Sequence, residues 1–164
     1  MFDRWPTFPN PVNDVASRVV AAGVLALALT AIIGQLPWLS AVLAYGFLAR
    51  VTSGPTFSPL GQIATRLVAP RVTSSPRLVP GPPKRFAQGI GATLTVLATL
   101  LYFGWHLEVA TYAVLGVLAL AAGLEAGLGL CIGCRLFAAL MSAGFIPPQV
   151  CEACANLGAQ RPPA

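Results

Sequence analysis

The sequence predicts an all-α fold, an integral membrane four-helix bundle built from two helical hairpins. Of its 164 residues, 56% are hydrophobic and 9% are charged, whereas soluble domains contain about 25% charged residues. Residues 19–49 and 86–107 contain no charged side chain, and a bilayer crossing needs about 20 apolar residues. The other segments are short or proline-rich, so we expect the apolar runs to lie in lipid rather than in a small soluble core.

The basic residues indicate the orientation of this bundle. Six of the ten lie in one stretch that contains no Asp or Glu, namely Arg50, Arg66, Arg71, Arg77, Lys84 and Arg85. Basic loops stay on the cytoplasmic side, and the connections GQLPWL and WHLE contain no Lys or Arg. We therefore expect a multi-pass protein of the cell membrane, surrounded by the lipid bilayer, with both termini and a long middle loop in the cytoplasm. Topology explains the net charge of +5, so no nucleic acid partner is expected.

The first hairpin is predicted to contain spans over residues 12–33 and 38–51. Prolines precede the first span, and Asn13 or Asp14 can cap its N-terminus. The charge-free run is short for two crossings and a turn, so it stays open whether the second span crosses the whole bilayer. A cleaved signal peptide is the weaker alternative for this region, because the start of the chain lacks a compact basic segment. We expect the chain from residue 1 onward to be the mature protein.

Long side chains at the two ends of these spans support the same orientation. Arg18 and Arg50 are expected to reach one cytoplasmic headgroup layer while their aliphatic stems stay buried. Aromatic residues that favour the opposite interface lie at the far turns: Trp38, Tyr102, Phe103 and Trp105.

The second hairpin follows a proline-rich loop over residues 52–85. Within this loop, SPLGQIATRLV repeats apolar residues at helical spacing, which predicts a short helix on the membrane surface. The third and fourth spans are predicted over residues 86–105 and 109–130. The sequence GLEAG in the fourth span has the spacing of small residues that allows close helix packing.

The chain after the fourth span is predicted to form a separate region. Its apolar run is too short and too often interrupted by glycine and proline to make a fifth span. One helical stripe, formed by Leu136, Phe137, Leu140 and Met141, predicts a short interfacial C-terminal helix. We therefore divide the chain into a four-span membrane domain, residues 1–135, and an interfacial helix with a cysteine-containing cytoplasmic tail, residues 136–164.

Glu125 and Gln88 lie within the predicted fourth and third spans and are candidates for polar contacts between helices. Glu125 is costly in lipid unless it is paired or protonated, so it either handles protons or forms an ion pair with one of Arg18, Arg50 and Arg85. Gln88 can donate or accept a hydrogen bond between helices, which is usually a structural role.

All four cysteines lie in the pattern C-x2-C-x16-C-x2-C, at Cys131, Cys134, Cys151 and Cys154. This spacing is typical of a four-cysteine zinc site, although the linker is apolar. Alternatively, a new helix can begin within CIGCRLF, and Cys131 at its start with Arg135 one turn on would be a reactive thiolate resolved by Cys134. A third interpretation is that the cysteines are buried and inert. The sequence contains no nucleotide or haem motif, and a quinone cofactor would likewise rest on no motif in the sequence.

Two segments give the sequence a family resemblance. PPKRFAQGIG (82–91) and LEAGLGLCIGCRLF (124–137), together with PVNDVASR (11–18), resemble the bacterial membrane family catalogued as domain of unknown function 4395. The resemblance implies four spans and genes often near those of thioredoxin-like and sulfurtransferase-like, that is rhodanese-like, proteins. The motif positions are Arg18, Arg85, Phe86, Gln88, Glu125, Cys131 and Cys134.

The resemblance and the cysteine pattern together predict two alternative functions. The first is a cytoplasm-facing thiol or persulfide relay at Cys131 and Cys134 that works with such a partner. The second is a non-enzymatic membrane scaffold whose tail is organised by zinc. The motif contains only the first cysteine pair, which favours the relay over a zinc site that needs all four cysteines.

Overall fold

A computed structural model describes residues 10–72 and 78–151 of the chain. The described chain is mostly helical, with seven α-helices: α1 Asp14–Ile33, α2 Leu39–Ser53, α3 Pro59–Gln62, α4 Ala69–Val72, α5 Gly81–Phe103, α6 Glu108–Leu128 and α7 Ile132–Ser142. A π-helix, Ile63–Val68, joins α3 to α4, and 3-10 turns lie at Gly54–Thr56 and Pro148–Cys151. Strands β1 (Val12–Asn13) and β2 (Leu78–Val79) pair antiparallel. The predicted all-α class is confirmed.

Three of the helices, α1, α5 and α6, are long and apolar enough to cross a membrane. Helix α2 has 15 residues and is therefore about 22 Å long, short of a hydrocarbon core of about 30 Å. The sequence left it open whether the second span crosses the whole bilayer, and the short length of α2 explains why.

The long helices pack in a closed pattern. Helix α1 packs along α6, α2 along α5, and α5 against α6, while α7 packs on α5. Small residues line these contacts; a side chain on Gly91 of α5 would collide with the ring of Phe47 on α2. Large apolar side chains point outward instead, as lipid-facing helices require: Ile33, Leu48, Leu100, Val117, Leu120 and Leu128. This distribution supports a membrane protein.

The helix ends follow local capping signals. Asn13 caps α1, because its side chain accepts hydrogen bonds from the N–H groups of Val15 and Ala16, at 2.9 and 3.3 Å. Helix α6 ends at Leu128, where Gly129 adopts the left-handed conformation at φ 68°. The start of α1 agrees with the predicted cap at Asn13 or Asp14, and α6 ends two residues before the predicted end of the fourth span at residue 130.

The start of the third span differs from the prediction. Helix α5 begins at Gly81 rather than at Phe86, and two prolines occupy its first turn. Proline is favoured there because its fixed φ suits a helix and its missing N–H is not needed. Lys84 and Arg85 are therefore helical residues and not part of the loop.

The short helix predicted in the middle loop is present, as α3, the π-helix and α4. It packs against α1, where Leu60 lies directly over Gly23. Ser58 and Ala64 are fully buried. This segment therefore adds to the helix packing, and its position relative to a membrane surface stays a prediction.

The turns of the two hairpins lie at one end of the bundle. The Thr99 hydroxyl of α5 and the Ser40 hydroxyl of α2 are 3.3 Å apart, which joins the end of one helix to the start of the other. Trp38 and Trp105 are exposed in these two turns. Their position agrees with the aromatic interface expected from the sequence.

Candidate functional site

The first cysteine pair lies where α6 gives way to α7. After Gly129 the chain turns, and Cys131 caps α7 with its Sγ accepting from the Cys134 N–H at 3.4 Å. The two Sγ atoms are 2.6 Å apart, and both residues are free cysteines. The prediction that a new helix begins within CIGCRLF is confirmed, since α7 begins at Ile132. A thiol at a helix start is in the position that favours its thiolate.

A close helix contact explains the glycine in CIGC. A Cβ atom on Gly133 would lie 2.6 Å from the Cα atom of Ala87, so α7 rests directly on the backbone of α5. One turn further, the rings of Phe137 and Phe86 pack with their centroids 5.6 Å apart. These contacts fix the cysteine pair next to the first turn of α5.

Lys84, in that first turn, is the centre of a buried polar network. Its Nζ donates to Glu125 Oε1 of α6 and to Ser17 Oγ of α1, each at 2.8 Å. It also forms an ion pair with Asp14 Oδ1 at 3.4 Å, and its side chain is only 8% exposed. One cation therefore joins α1, α5 and α6 at the end of the bundle where the thiols lie.

Sequence reasoning missed this lysine. An arginine was expected to pair with Glu125, whereas the partner is Lys84. Lys84 falls within the predicted proline-rich loop, residues 52–85. Two prolines before a helical pattern are, however, also a helix start signal. Glu125 lies in α6, within the predicted fourth span. Its ion pair with Lys84 favours the role of a structural counter-ion.

The pKa values of the two thiols move in opposite directions. The pKa of Cys131 is lowered, first because the Cys134 thiol donates a hydrogen bond to it, and then by the Cys134 N–H and the charge of Lys84. Burial and the charge of Glu125 act in the opposite direction. The pKa of Cys134 is raised, chiefly by the same hydrogen bond, then by burial and the negative charge on Cys131. Of the two thiols, Cys131 is therefore the one that loses its proton first.

The predicted arginines lie around this network in different roles. Arg18 Nη2 donates to the carbonyl groups of Ala126 and Gly127, at 3.3 and 3.0 Å, and so caps the end of α6. Arg85 Nε donates to the carbonyl oxygen of Val51 at 3.1 Å. Arg135 is exposed, and the cation that lowers the pKa of Cys131 is Lys84.

Arg50 and Gln88 form a second buried polar contact. The Arg50 Nε donates to Gln88 Oε1 at 2.9 Å, and Nη1 donates to Ser58 Oγ at 3.1 Å. The guanidinium also lies over the Phe47 ring, 4.4 Å from its centroid. The interhelical hydrogen bond expected of Gln88 is therefore present, with Arg50 as its partner.

An apolar cavity of about 440 Å³ leads from the thiolate into the bundle. Cys131 and Glu125 are among its lining residues, and most of its wall comes from α1, α5 and α6, with Phe47 of α2 and the start of α7 completing it. Cys131 is 9% exposed, while Cys134 is half-buried. A small apolar molecule can thus approach Cys131 from the helix bundle.

The second cysteine pair is only partly described. Cys151 is buried and disulfide-bonded, and Cys154 lies outside the described residues. Among residues 10–72 and 78–151, no group of three His, Cys, Asp or Glu side chains is placed to hold a metal ion. The four-cysteine zinc site stays a prediction, because it needs Cys154.

Comparison with known proteins gives one match. The model of the family described as Domain of unknown function (DUF4395) matches residues 12–142, which is most of the chain and includes both Cys131 and Cys134. No curated protein and no solved structure matches the chain significantly.

Proposed function

The chain belongs to the DUF4395 family, and we propose that it is a membrane dithiol centre that exchanges electron pairs or sulfur with a thioredoxin-like or rhodanese-like protein. The asymmetry of the thiol pair carries this proposal. Cys131 has the lowered pKa and Cys134, 2.6 Å away, keeps its proton. A thiolate next to a protonated thiol is the arrangement that thiol–disulfide exchange requires.

The exchange proceeds in two balanced steps. The Cys131 thiolate attacks one sulfur of a partner disulfide, that S–S bond breaks, and the other partner sulfur leaves as a thiolate. Cys134 then attacks Cys131 Sγ and releases the first partner sulfur. The partner gains two electrons, one proton from Cys134 and one proton from water, and the chain is left with a Cys131–Cys134 disulfide, which a reduced dithiol partner returns to the start. With a persulfide donor, the Cys131 thiolate accepts the outer sulfur by the same attack.

The second step depends on the first through the pKa of Cys134. That pKa is raised mainly because Cys134 donates a hydrogen bond to the Cys131 sulfur and lies next to its negative charge. Both effects disappear when Cys131 enters a mixed disulfide, so Cys134 then loses its proton more readily. The pair is thereby protected from premature oxidation and activated once a partner is bound.

The membrane provides the other route to the thiolate. Cys131 lies at the end of the apolar cavity, next to Glu125. A lipid-soluble electron acceptor of the quinone class would reach the thiolate there without meeting water. The protein would then connect a cytosolic thiol pool to the membrane interior.

The four-span topology belongs to this proposal as well. In a cell membrane, with α2 as the short fourth span and both termini in the cytoplasm, the basic end of the bundle faces the cytosol. The network around Lys84 and the cysteine pair lies at that end, within reach of a cytosolic partner. If a membrane-impermeant thiol reagent labels Cys131 or Cys134 in intact bacterial cells, this orientation is wrong.

Trapping a mixed disulfide tests the proposed chemistry. In a background without Cys151 and Cys154, the purified protein is incubated with an oxidised thioredoxin-like protein and resolved on a non-reducing gel. We expect Cys134→Ser to accumulate an adduct joined through Cys131, identified by mass spectrometry, and Cys131→Ser to give none. Absence of an adduct in both variants would refute the relay.

Metal analysis separates the relay from the scaffold function. Zinc bound at one ion per chain by the wild-type protein, and lost in Cys151→Ser, would favour a tail organised by metal. The relay predicts that Cys134→Ser forms the adduct at Cys131 equally well with and without Cys151 and Cys154.

A further inference from the structure

Arg50 is a buried cation whose direct partners are all neutral. The residue is 5% exposed, and its hydrogen bonds go to Gln88 and Ser58. The carboxylate whose charge acts on it, Glu125, already accepts the short hydrogen bond of Lys84. A buried charge without a direct counter-ion is costly, which makes an intramembrane arginine of this kind a candidate for function.

One edge of this guanidinium is unused. Among the described residues, Nη2 of Arg50 is the one buried side-chain nitrogen or oxygen atom without a hydrogen-bond partner. Nε and Nη1 each already donate one hydrogen bond, so the N–H groups of Nη2 are the ones left free to donate. A guanidinium edge of this kind matches the oxygens of a carboxylate or a phosphate.

A separate cavity lies next to that guanidinium. It has a volume of about 240 Å³ and is lined by Arg50 and Gln88, by the start of α1 and by residues of the loop segment. Its wall follows α1 from Asn13 to Val20, a distance of about 10 Å at 1.5 Å per residue. The cavity is thus polar where Arg50 and Gln88 meet it and mainly apolar along its length.

We propose that this cavity binds the anionic headgroup of a membrane amphiphile, with Arg50 Nη2 donating to a phosphate or carboxylate oxygen. The oxyanion supplies the counter-charge that Gln88 and Ser58 cannot give, and the apolar wall along α1 takes the first part of the acyl or alkyl chain. The volume is below the range of about 300–1,000 Å³ of pockets that enclose a whole small molecule. A headgroup and the start of one chain therefore fit, while the rest of the chain lies in the bilayer.

The apolar wall also distinguishes an amphiphile from a free anion. A free phosphate would have to lose its water against side chains such as Ala16 and Val20, which return no hydrogen bonds. An amphiphile instead gains by burying its chain there. An amphiphile and a free phosphate would make the same contact with Arg50, so the experiment compares the two ligands directly.

Binding of dodecyl phosphate to the full chain in a neutral maltoside detergent tests this site. Native mass spectrometry and titration calorimetry would measure stoichiometry and affinity, with inorganic phosphate in a parallel arm. We expect one dodecyl phosphate per chain, with an affinity that falls about tenfold or more in Arg50→Gln and less in Arg50→Lys. Arg85→Gln, which removes a cation outside the cavity, is the matched control and should bind as the wild type does.

A second variant keeps the test valid if Arg50→Gln folds poorly. Thr65→Phe narrows the cavity without altering the charge and should also weaken binding. Arg50-dependent binding of dodecyl phosphate but not of inorganic phosphate supports the amphiphile, and equal binding of both supports a free oxyanion at the same site. Binding that is unchanged in both Arg50→Gln and Thr65→Phe, or no binding to the wild type, would overturn the proposal.

Discussion

Two cations are buried at the same end of the bundle, and their surroundings are opposite. Lys84 makes short contacts to Glu125 and Ser17 and a longer one to Asp14, so its charge is balanced within the protein. Arg50 has only neutral direct partners and keeps one nitrogen without any. A balanced cation can serve a fixed electrostatic role, whereas an unbalanced one is suited to an anion from outside the chain.

This difference separates the two proposed functions. The Lys84 network lies beside the cysteine pair as a permanent part of the site, where the charge of Lys84 lowers the pKa of Cys131 and that of Glu125 raises it. The cavity next to Arg50 lies on the side of α1 that faces the loop segment. The trapping experiment depends on the thiols, and the amphiphile experiment on Arg50, so the failure of one proposal leaves the other in place.

The largest effect should come from removing the balanced cation. Lys84→Met leaves the partly buried carboxylates of Glu125 and Asp14 without their partner, which should destabilise the fold by about 3 kcal/mol. Unfolding followed in mild detergent measures this loss. The double variant with Glu125→Gln should recover part of the stability, since it removes one of the stranded charges. Additive losses in the two variants would contradict the ion pair.

The next effect concerns the contact that positions the thiols. Gly133→Ala forces α7 away from Ala87 and should cost about 1–3 kcal/mol, while also slowing adduct formation at Cys131. Gly116→Ala is the matched control, because a Cβ there meets open space within α6. That control should be neutral or more stable by about 0.5–1 kcal/mol. Equal effects of the two substitutions would show that helix packing does not hold the cysteine pair.

Removing the unbalanced cation should matter much less to the empty protein. Arg50→Met loses two hydrogen bonds but also abolishes a buried charge, so we expect a change in stability within about 1 kcal/mol. Dodecyl phosphate should then stabilise the wild type and not the variant, because it binds only the folded chain that retains Arg50. A loss as large as that of Lys84→Met would mean that the two cations are equivalent.

The sequence predicted those features that depend on local signals. The cap at Asn13 and the helix start at Cys131 follow from the residue types at those positions, whereas α6 ends at Leu128, two residues before the predicted end at residue 130. The roles of Lys84 and Arg50 depend on which helices meet. Lys84 and Arg85 are neighbours in the sequence, but they lie on different faces of α5, so Lys84 contacts Glu125 and Arg85 contacts the carbonyl group of Val51. Charge patterning gave the end of the bundle on which these residues lie, and packing decided which of them is buried.

The smallest effect, and the most specific, is on the pH dependence of Cys131 alkylation. A thiolate forms as the pH rises through the thiol pKa, so the lowered pKa of Cys131 predicts reaction with iodoacetamide at a lower pH than for an ordinary cysteine, and for Cys134 at a higher pH. Lys84→Gln removes a positive charge and leaves Glu125 unbalanced, so both changes should move the Cys131 profile to higher pH. Cys134→Ala should move it further in the same direction, because the thiol hydrogen bond is the largest cause of the lowered pKa. Rates followed by mass spectrometry across a pH series would give this order, and a larger shift in Lys84→Gln than in Cys134→Ala would show that the lysine, rather than the second thiol, controls the reactive cysteine.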